Sequence, residues 1–216
     1  MKYINLHTHH FTNNSNITEI VNQFPNGFEF SPTNYSVGIH PWHINGNFYE
    51  AELTFIENKI SELNCLAVGE CGLDKRTEIP FELQVKVFEL QLLMAQKYTK
   101  PAIIHCVGAF NELIVIRKKL KLTIPLIVHG FSKNETVAKT LVSAGFYISF
   151  GKYLMTNPQL ANVFYNMPDD RLFLETDSSD YKIEDVYKKA ADIKGISVDE
   201  LKLIVKNNFE LVFDKS

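Results

Sequence analysis

Long apolar runs are missing from this 216-residue sequence, and so is any large excess of one charge. No stretch approaches the roughly 20 apolar residues that a membrane-spanning helix needs. Lys and Arg number 22 against 25 Asp and Glu, a formal charge of −3, which argues against broad electrostatic attraction to nucleic acid or to a membrane surface. A local basic rim around a phosphate site is still compatible with that balance. Cysteine is scarce. Cys65, Cys71 and Cys106 are an odd, unpatterned set that cannot make a disulfide framework. They read as reduced core thiols, with a Cys ligand to zinc as the second reading. A leader of basic then apolar residues is absent, as are Pro/Gly/Ser-rich linkers, low-complexity tracts and short repeats. One domain over residues 1–216, cytoplasmic, without membrane association and preferentially monomeric, is the expectation.

What is present is an alternation of short apolar strands and helical patterns, the mark of an α/β fold with a parallel sheet. The clearest strands cover residues 3–9, 36–41, 66–73, 101–106, 125–131, 146–151 and 172–177. Helical spacing places Leu53, Ile56, Ile60 and Leu63 on one face of residues 49–63, and Pro80 opens a helix over 80–98. Ser132-Lys133-Asn134-Glu135 has the form of a capping box before a helix at 134–144 with Gly145 at its end. Asn157-Pro158 begins another helix, and Ser197-Val198-Asp199-Glu200 caps the last one. Seven strands in this rhythm predict a compact TIM-like (β/α)8 barrel. The remaining strand has one candidate, Ile17–Phe24, which requires that the helix normally preceding it be replaced by the Thr12–Asn16 loop. The second-strand region is therefore shortened.

Polar donors stand at the C-terminal ends of the apolar runs: His7 and His9, Glu70, His105, His129 and Asp177. In a barrel those strand ends meet at the mouth, where active sites are built. His7 and His9 lie two apart on a strand and so share a face. Glu70 sits between Gly69 and Cys71-Gly72, with little side-chain bulk around its carboxylate. A buried carboxylate without a partner is costly, which favours a cation beside it. His105 and His129 end successive apolar strands, and Asp177 ends the last with Glu175 two residues deeper on the same face. Imidazoles and carboxylates from separate places in the chain suit a pair of divalent cations, with zinc, manganese or magnesium as candidates.

The ordered set His7-x-His9, Gly38-Ile39-His40-Pro41, Gly69-Glu70-Cys71-Gly72-Leu73-Asp74, His105, His129-Gly130-Phe131-Ser132, Glu175-Thr176-Asp177 and Asn208…Phe213 resembles the motifs of the TatD family of metal-dependent deoxyribonucleases across nearly the whole chain. The resemblance implies an amidohydrolase-type barrel that binds two divalent ions and hydrolyses phosphodiesters. Carried over by position, it implies that His7, His9, Glu70 and Asp177 hold one ion, and Glu70, His105 and His129 the other. Asp177 and Glu70 are then the catalytic residues, with Asp177 taking the proton of the attacking water.

Around the rim, the resemblance implies that His40 contacts substrate phosphate. Trp42, the one tryptophan, could stack on a base or sugar. Lys75, Arg76 and Lys152 follow strands and could bind phosphate. Arg117-Lys118-Lys119 falls at a helix C-terminus, where it complements the helix dipole. The sequence departs from the family pattern at Cys106-Val107-Gly108, where a polar residue, arginine and aspartate are usual. It departs again at Asn5, an aspartate in the family, and at Ser178–Lys182, where the family has a longer loop. The expected substrate is DNA or a small phosphoester. Hydrolysis of an amide, or an idle barrel serving as a binding protein, are the alternatives.

Overall fold

Eight strands, the last six separated by helices, make up the sheet in a computed structural model that describes residues 1–29 and 34–213. The strands are β1 (Tyr3–Thr8), β2 (Ile17–Gln23), β3 (Tyr35–Val37), β4 (Cys65–Asp74), β5 (Ala102–Val107), β6 (Leu126–Val128), β7 (Tyr147–Phe150) and β8 (Leu172–Leu174). Helices α1 (Tyr49–Lys59), α2 (Phe81–Lys97), α3 (Phe110–Lys119), α4 (Glu135–Ser143), α5 (Lys152–Thr156), α6 (Gln159–Tyr165), α7 (Ile183–Lys194) and α8 (Val198–Phe213) follow in chain order. The strands form one sheet in sequence order from β1 to β8, the topology of a TIM-like (β/α)8 barrel. Their side chains are buried nearly throughout, as parallel strands covered by helices must be. No helix among the described residues is long and apolar enough to cross a membrane.

β2 lies where the single candidate stretch placed it, and no helix separates it from β1. Several boundaries differ from the sequence reading. The strands expected at 36–41, 125–131 and 172–177 stop at Val37, Val128 and Leu174, so His40, His129 and Asp177 sit just past the ladders. α1 ends at Lys59, and Leu63, expected on its apolar face, is 97% exposed, whereas Glu52 is buried. The cap of α4 is Asn134, whose side chain accepts the Val137 N–H, and not Ser132. The reciprocal box at the last helix is as expected, with Ser197 N–H donating to Glu200 and Glu200 N–H to Ser197 Oγ. Helix α5 had no signal in the sequence reading.

Contacts divide the chain into two compact units, Met1–Val21 with Val128–Ser216, and Asn22–Ile127. In the first unit β1 runs parallel to β2, with Tyr3 opposite Ile17 and Thr8 opposite Val21. A bridge between Thr8 and Asp177 ties β1 to the segment after β8, with His9 N–H donating to the Asp177 carbonyl and Asp177 N–H to that of His7. The Tyr187 hydroxyl of α7 accepts from Ile4 N–H and donates to the Ile4 carbonyl, which docks that helix on β1.

In the second unit β4 pairs in parallel with β3 and with β5. Gly72 is required by this approach, because a Cβ there would lie 1.9 Å from the His105 carbonyl oxygen. The glycines flanking Glu70 thus serve strand contact, beyond the room around the carboxylate read from sequence. Two buried glutamines of α2 fix the chain near the donors. Gln91 accepts from Ile39 N–H at 2.7 Å and donates to its carbonyl at 3.2 Å, and Gln84 does the same for Asp74 at 2.9 and 3.1 Å. The cysteines are free and buried, and burial pushes the Cys65 thiol up to about 12.

Candidate metal centre

In the first unit His7 comes from β1, His9 follows it, His129 follows β6 and Asp177 follows β8. His7 is fully buried, and its ring centroid lies 4.3 Å from that of His129. Asp177 Oδ1 is 3.8 Å from His7 Nε2 and 3.5 Å from His9 Nε2. His7, His129 and Asp177 each offer a ligand atom, all within 4.8 Å of one another. Lys152 Nζ holds the other carboxylate oxygen, Oδ2, at 2.7 Å. Burial alone would raise the Asp177 carboxyl, but the His9 hydrogen bond, the neighbouring His129 and His7, and Lys152 outweigh it. The group is held well below the usual carboxylate range, so it stands ready as an anionic ligand.

Glu175 supports this set from beneath. Its Oε1 accepts the Gly130 N–H at 2.8 Å and lies 3.4 Å from His129 Nδ1, which leaves Nε2 of that ring for coordination. Its Oε2 is buried with no hydrogen-bond partner among the described residues. Such a buried oxygen beside clustered imidazoles fits a nearby positive charge.

The second unit gathers Glu70 from β4, His105 from β5 and His40 from the segment after β3, again with ligand atoms within 4.8 Å of one another. Glu70 Oε1 lies 3.0 Å from His105 Nδ1 and 3.2 Å from His40 Nε2. The Glu70 N–H is anchored by Asn22 Oδ1 at 2.6 Å. His105 Nε2 meets Asp74 Oδ2 at 3.0 Å, the carboxylate–imidazole contact that orients a metal-binding histidine. His40 Nδ1 accepts the Trp42 backbone N–H at 3.1 Å. The proton of the neutral ring therefore belongs on Nε2, facing Glu70. Desolvation lowers the His40 pKa despite Glu70, which keeps that ring neutral.

The rim residues are all engaged. Trp42 is 53% exposed, and its indole N–H donates to Asp74 Oδ2 at 2.8 Å. Arg76 reaches the same carboxylate through Nη2 at 3.0 Å and Nε at 3.2 Å. Burial would raise Asp74, but Arg76, His105 and Trp42 hold it far down. Lys75 pairs with Glu112, and its side chain runs past Gly108. Lys152 pairs with Asp177. Sequence reasoning assigned no role to Asp74, Asn22, Gln84 or Gln91. Asp74 alone had a signal, as the end of the Glu70 motif. The resemblance groups His129 with Glu70 and His105, whereas within its own unit His129 adjoins His7 and Asp177.

Both donor sets combine imidazole with carboxylate, a chemistry suited to zinc, manganese or iron, and within each set the ligand atoms lie close enough to chelate a small divalent ion. The sequence pattern of the family described as TatD related DNase matches residues 2–214. An uncharacterized metal-dependent hydrolase of Haemophilus influenzae is 31% identical over 159 residues, covering 69% of this chain and 60% of that protein. A 3'-5' ssDNA/RNA exonuclease TatD of Erwinia billingiae is 28% identical over 148 residues, 66% of this chain and 56% of that protein. The match thus spans less than two thirds of the length of either relative. Among solved structures, a TatD homologue from Escherichia coli K12 superposes with a TM-score of 0.84 at 22% identity, covering 99% of this chain and 98% of that one.

Proposed function

We propose that this chain, which belongs to the TatD-related DNase family of metal-dependent hydrolases, cleaves phosphodiester bonds using two divalent cations, one at each donor set. The observation that carries the reading is the pair of imidazole–carboxylate groups, each braced by a further carboxylate. Glu175 braces the first and Asp74 the second. His7, His9, His129 and Asp177 would hold one cation, and Glu70 with His105 the other. Bound there, a divalent cation supplies Lewis acidity and stabilises negative charge developing on the phosphoryl oxygens.

The protein's own groups have separate tasks. Asp74 and Glu175 fix the tautomer and ring plane of His105 and His129. Lys152 orients Asp177 through Oδ2, and Asp177 is the carboxylate that accepts the proton of the attacking water. His40 holds its proton on Nε2 against Glu70 and can pass that hydrogen bond to a phosphate oxygen. Trp42, Lys75 and Arg76 in the second unit and Lys152 in the first are the candidate substrate contacts. A second reading, a small phosphoester in place of a polymer, is favoured by the rim residues: Val107 stands where the family pattern has arginine, and Lys75, Arg76 and Lys152 already pair with carboxylates.

The test is hydrolysis of a short single-stranded DNA oligonucleotide by the purified chain with manganese or magnesium, with Asp177→Asn as control. Stepwise shortening absent from the variant supports the nuclease reading. Absence of cleavage by metal-loaded protein rejects it in favour of small phosphoesters.

A further inference from the structure

Trp42 is inverted for a surface tryptophan. Such residues ordinarily turn the ring into the protein and the N–H towards water. Here the residue is 53% exposed, while its indole N–H donates at 2.8 Å to Oδ2 of Asp74, a fully buried carboxylate. The backbone is fixed as well. Trp42 N–H donates to His40 Nδ1 at 3.1 Å, and His43 N–H closes the same turn on the His40 carbonyl at 2.9 Å. The His40 and His105 rings cross the indole at 85° and 71°, with centroids 5.1 and 5.9 Å away, and no aromatic ring among the described residues lies parallel to it. A flat apolar surface is thus held rigid and open to solvent beside the second donor set. Pro41 and Ile44 of the same turn are buried, so this surface has the size of one ring rather than of a protein contact.

Asp74 makes the arrangement a shared one. The oxygen that receives the indole N–H also meets His105 Nε2 at 3.0 Å and Arg76 Nη2 at 3.0 Å. One carboxylate oxygen therefore sets the exposed indole and the imidazole of the donor set together. The backbone of Asp74 has separate support, because Gln84 accepts its N–H and donates to its carbonyl. The duties of the side chain are in that way separable from those of the strand end.

Resting on the phosphodiesterase reading, we propose that Asp74 is a positioning residue for substrate as well as for His105: it locks Trp42 as a stacking platform for the nucleobase next to the scissile phosphate. With phosphate at the Glu70–His105 set, the flanking base is the planar group that meets the indole. Stacking needs only a π-face, so the platform serves purines and pyrimidines alike. The ring is already immobilised, and a base that stacks on it removes no further side-chain freedom. A sugar phosphate without a base gains nothing from it.

Trp42 is the one tryptophan, so indole fluorescence reports this site alone. The magnesium-loaded full chain is titrated with dAMP, dTMP and 2-deoxyribose 5-phosphate, with affinities from calorimetry and emission followed in parallel. Both nucleotides should quench the emission and bind roughly tenfold tighter than the sugar phosphate, the factor that one base–aromatic stack represents. Trp42→Ala should bring all three to the affinity of the sugar phosphate. Trp42→Phe keeps a ring but gives Asp74 no donor, and it leaves the Asp74–His105 contact in place; it should recover only part of the preference. Asp74→Ala should open the indole to acrylamide quenching and weaken the preference for nucleotides. Absence of binding, wild-type affinities that do not distinguish nucleotide from sugar phosphate, or a preference that survives Trp42→Ala overturns the platform. Full preference in Trp42→Phe, or unchanged acrylamide quenching in a folded Asp74→Ala, overturns the role of Asp74; should Asp74→Ala not fold, Trp42→Phe decides. These are binding measurements and are independent of cleavage, so base preference without hydrolysis of an oligonucleotide rejects the phosphodiesterase reading and supports the platform.

Discussion

Replacing Gln91 by Met isolates what one buried amide does for the site. Gln91 gives Ile39, itself 2% exposed, both a donor and an acceptor for its backbone groups. Met has nearly the same length and helix propensity as Gln, so α2 itself should persist. The Ile39 N–H and C=O are then left without partners where water cannot reach them. Each orphaned buried group costs about 1–3 kcal/mol, and the gain from a more apolar side chain offsets part of that, leaving a loss of about 2–4 kcal/mol. For about 3 kcal/mol in a chain of this size, Tm should fall by about 6–12 °C. Urea and thermal unfolding followed by circular dichroism measure the loss. Gln91→Glu refines the test, because an ionised carboxylate accepts from Ile39 N–H but cannot donate to its carbonyl. Burial raises that carboxyl's folded pKa above its unfolded value. Its stabilising contribution is therefore full below the unfolded pKa and lost as pH rises through the folded one. A Gln91→Met variant within about 0.5 kcal/mol of wild type, the ordinary range for a surface substitution, would refute the reasoning.

Glu70→Gln should keep the fold yet lose bound metal and hydrolysis together; full metal occupancy in the variant, by elemental analysis, would remove Glu70 from the ligands. His40→Ala should retain its metal and turn over substrate more slowly, since the wild-type ring spends its Nε2 proton on Glu70 and not on a cation. Loss of metal would instead make His40 a ligand. Glu52 has a raised pKa, so wild type loses stability as pH climbs through that group's folded value, and Glu52→Gln should lack this loss. The stability difference between them should widen in the variant's favour with rising pH; a difference that stays flat from pH 4 to 8 would show that the buried charge has no such cost.

Much of the fold was legible because its signals are local. Apolar runs such as Ala102-Ile103-Ile104 and Leu126-Ile127-Val128, each preceded by proline and rich in β-branched residues, read as buried strands, and their regular spacing with helices leaves few topologies. β2 was found by elimination, from the length of the first connection. The polar ends of those runs marked His7, His105, His129 and Asp177 for the same reason: a charged or imidazole group closing a buried strand needs a partner. Strand ends were less legible. His40 and Asp177 leave the ladder where side chains and backbone turns, including the positive φ of 55° at Asp177, override strand propensity.

The sequence by itself determined the (β/α)8 class and marked candidate donor residues, because periodicity, composition and residue chemistry are properties of short segments. Only the tertiary structure decided which groups brace the donors and which stand alone. Asp74 on His105, Gln91 on Ile39 and Trp42 on Asp74 are juxtapositions across tens of residues. Burial and hydrogen-bond satisfaction depend on what the chain brings alongside a group in space, and no short segment carries that information.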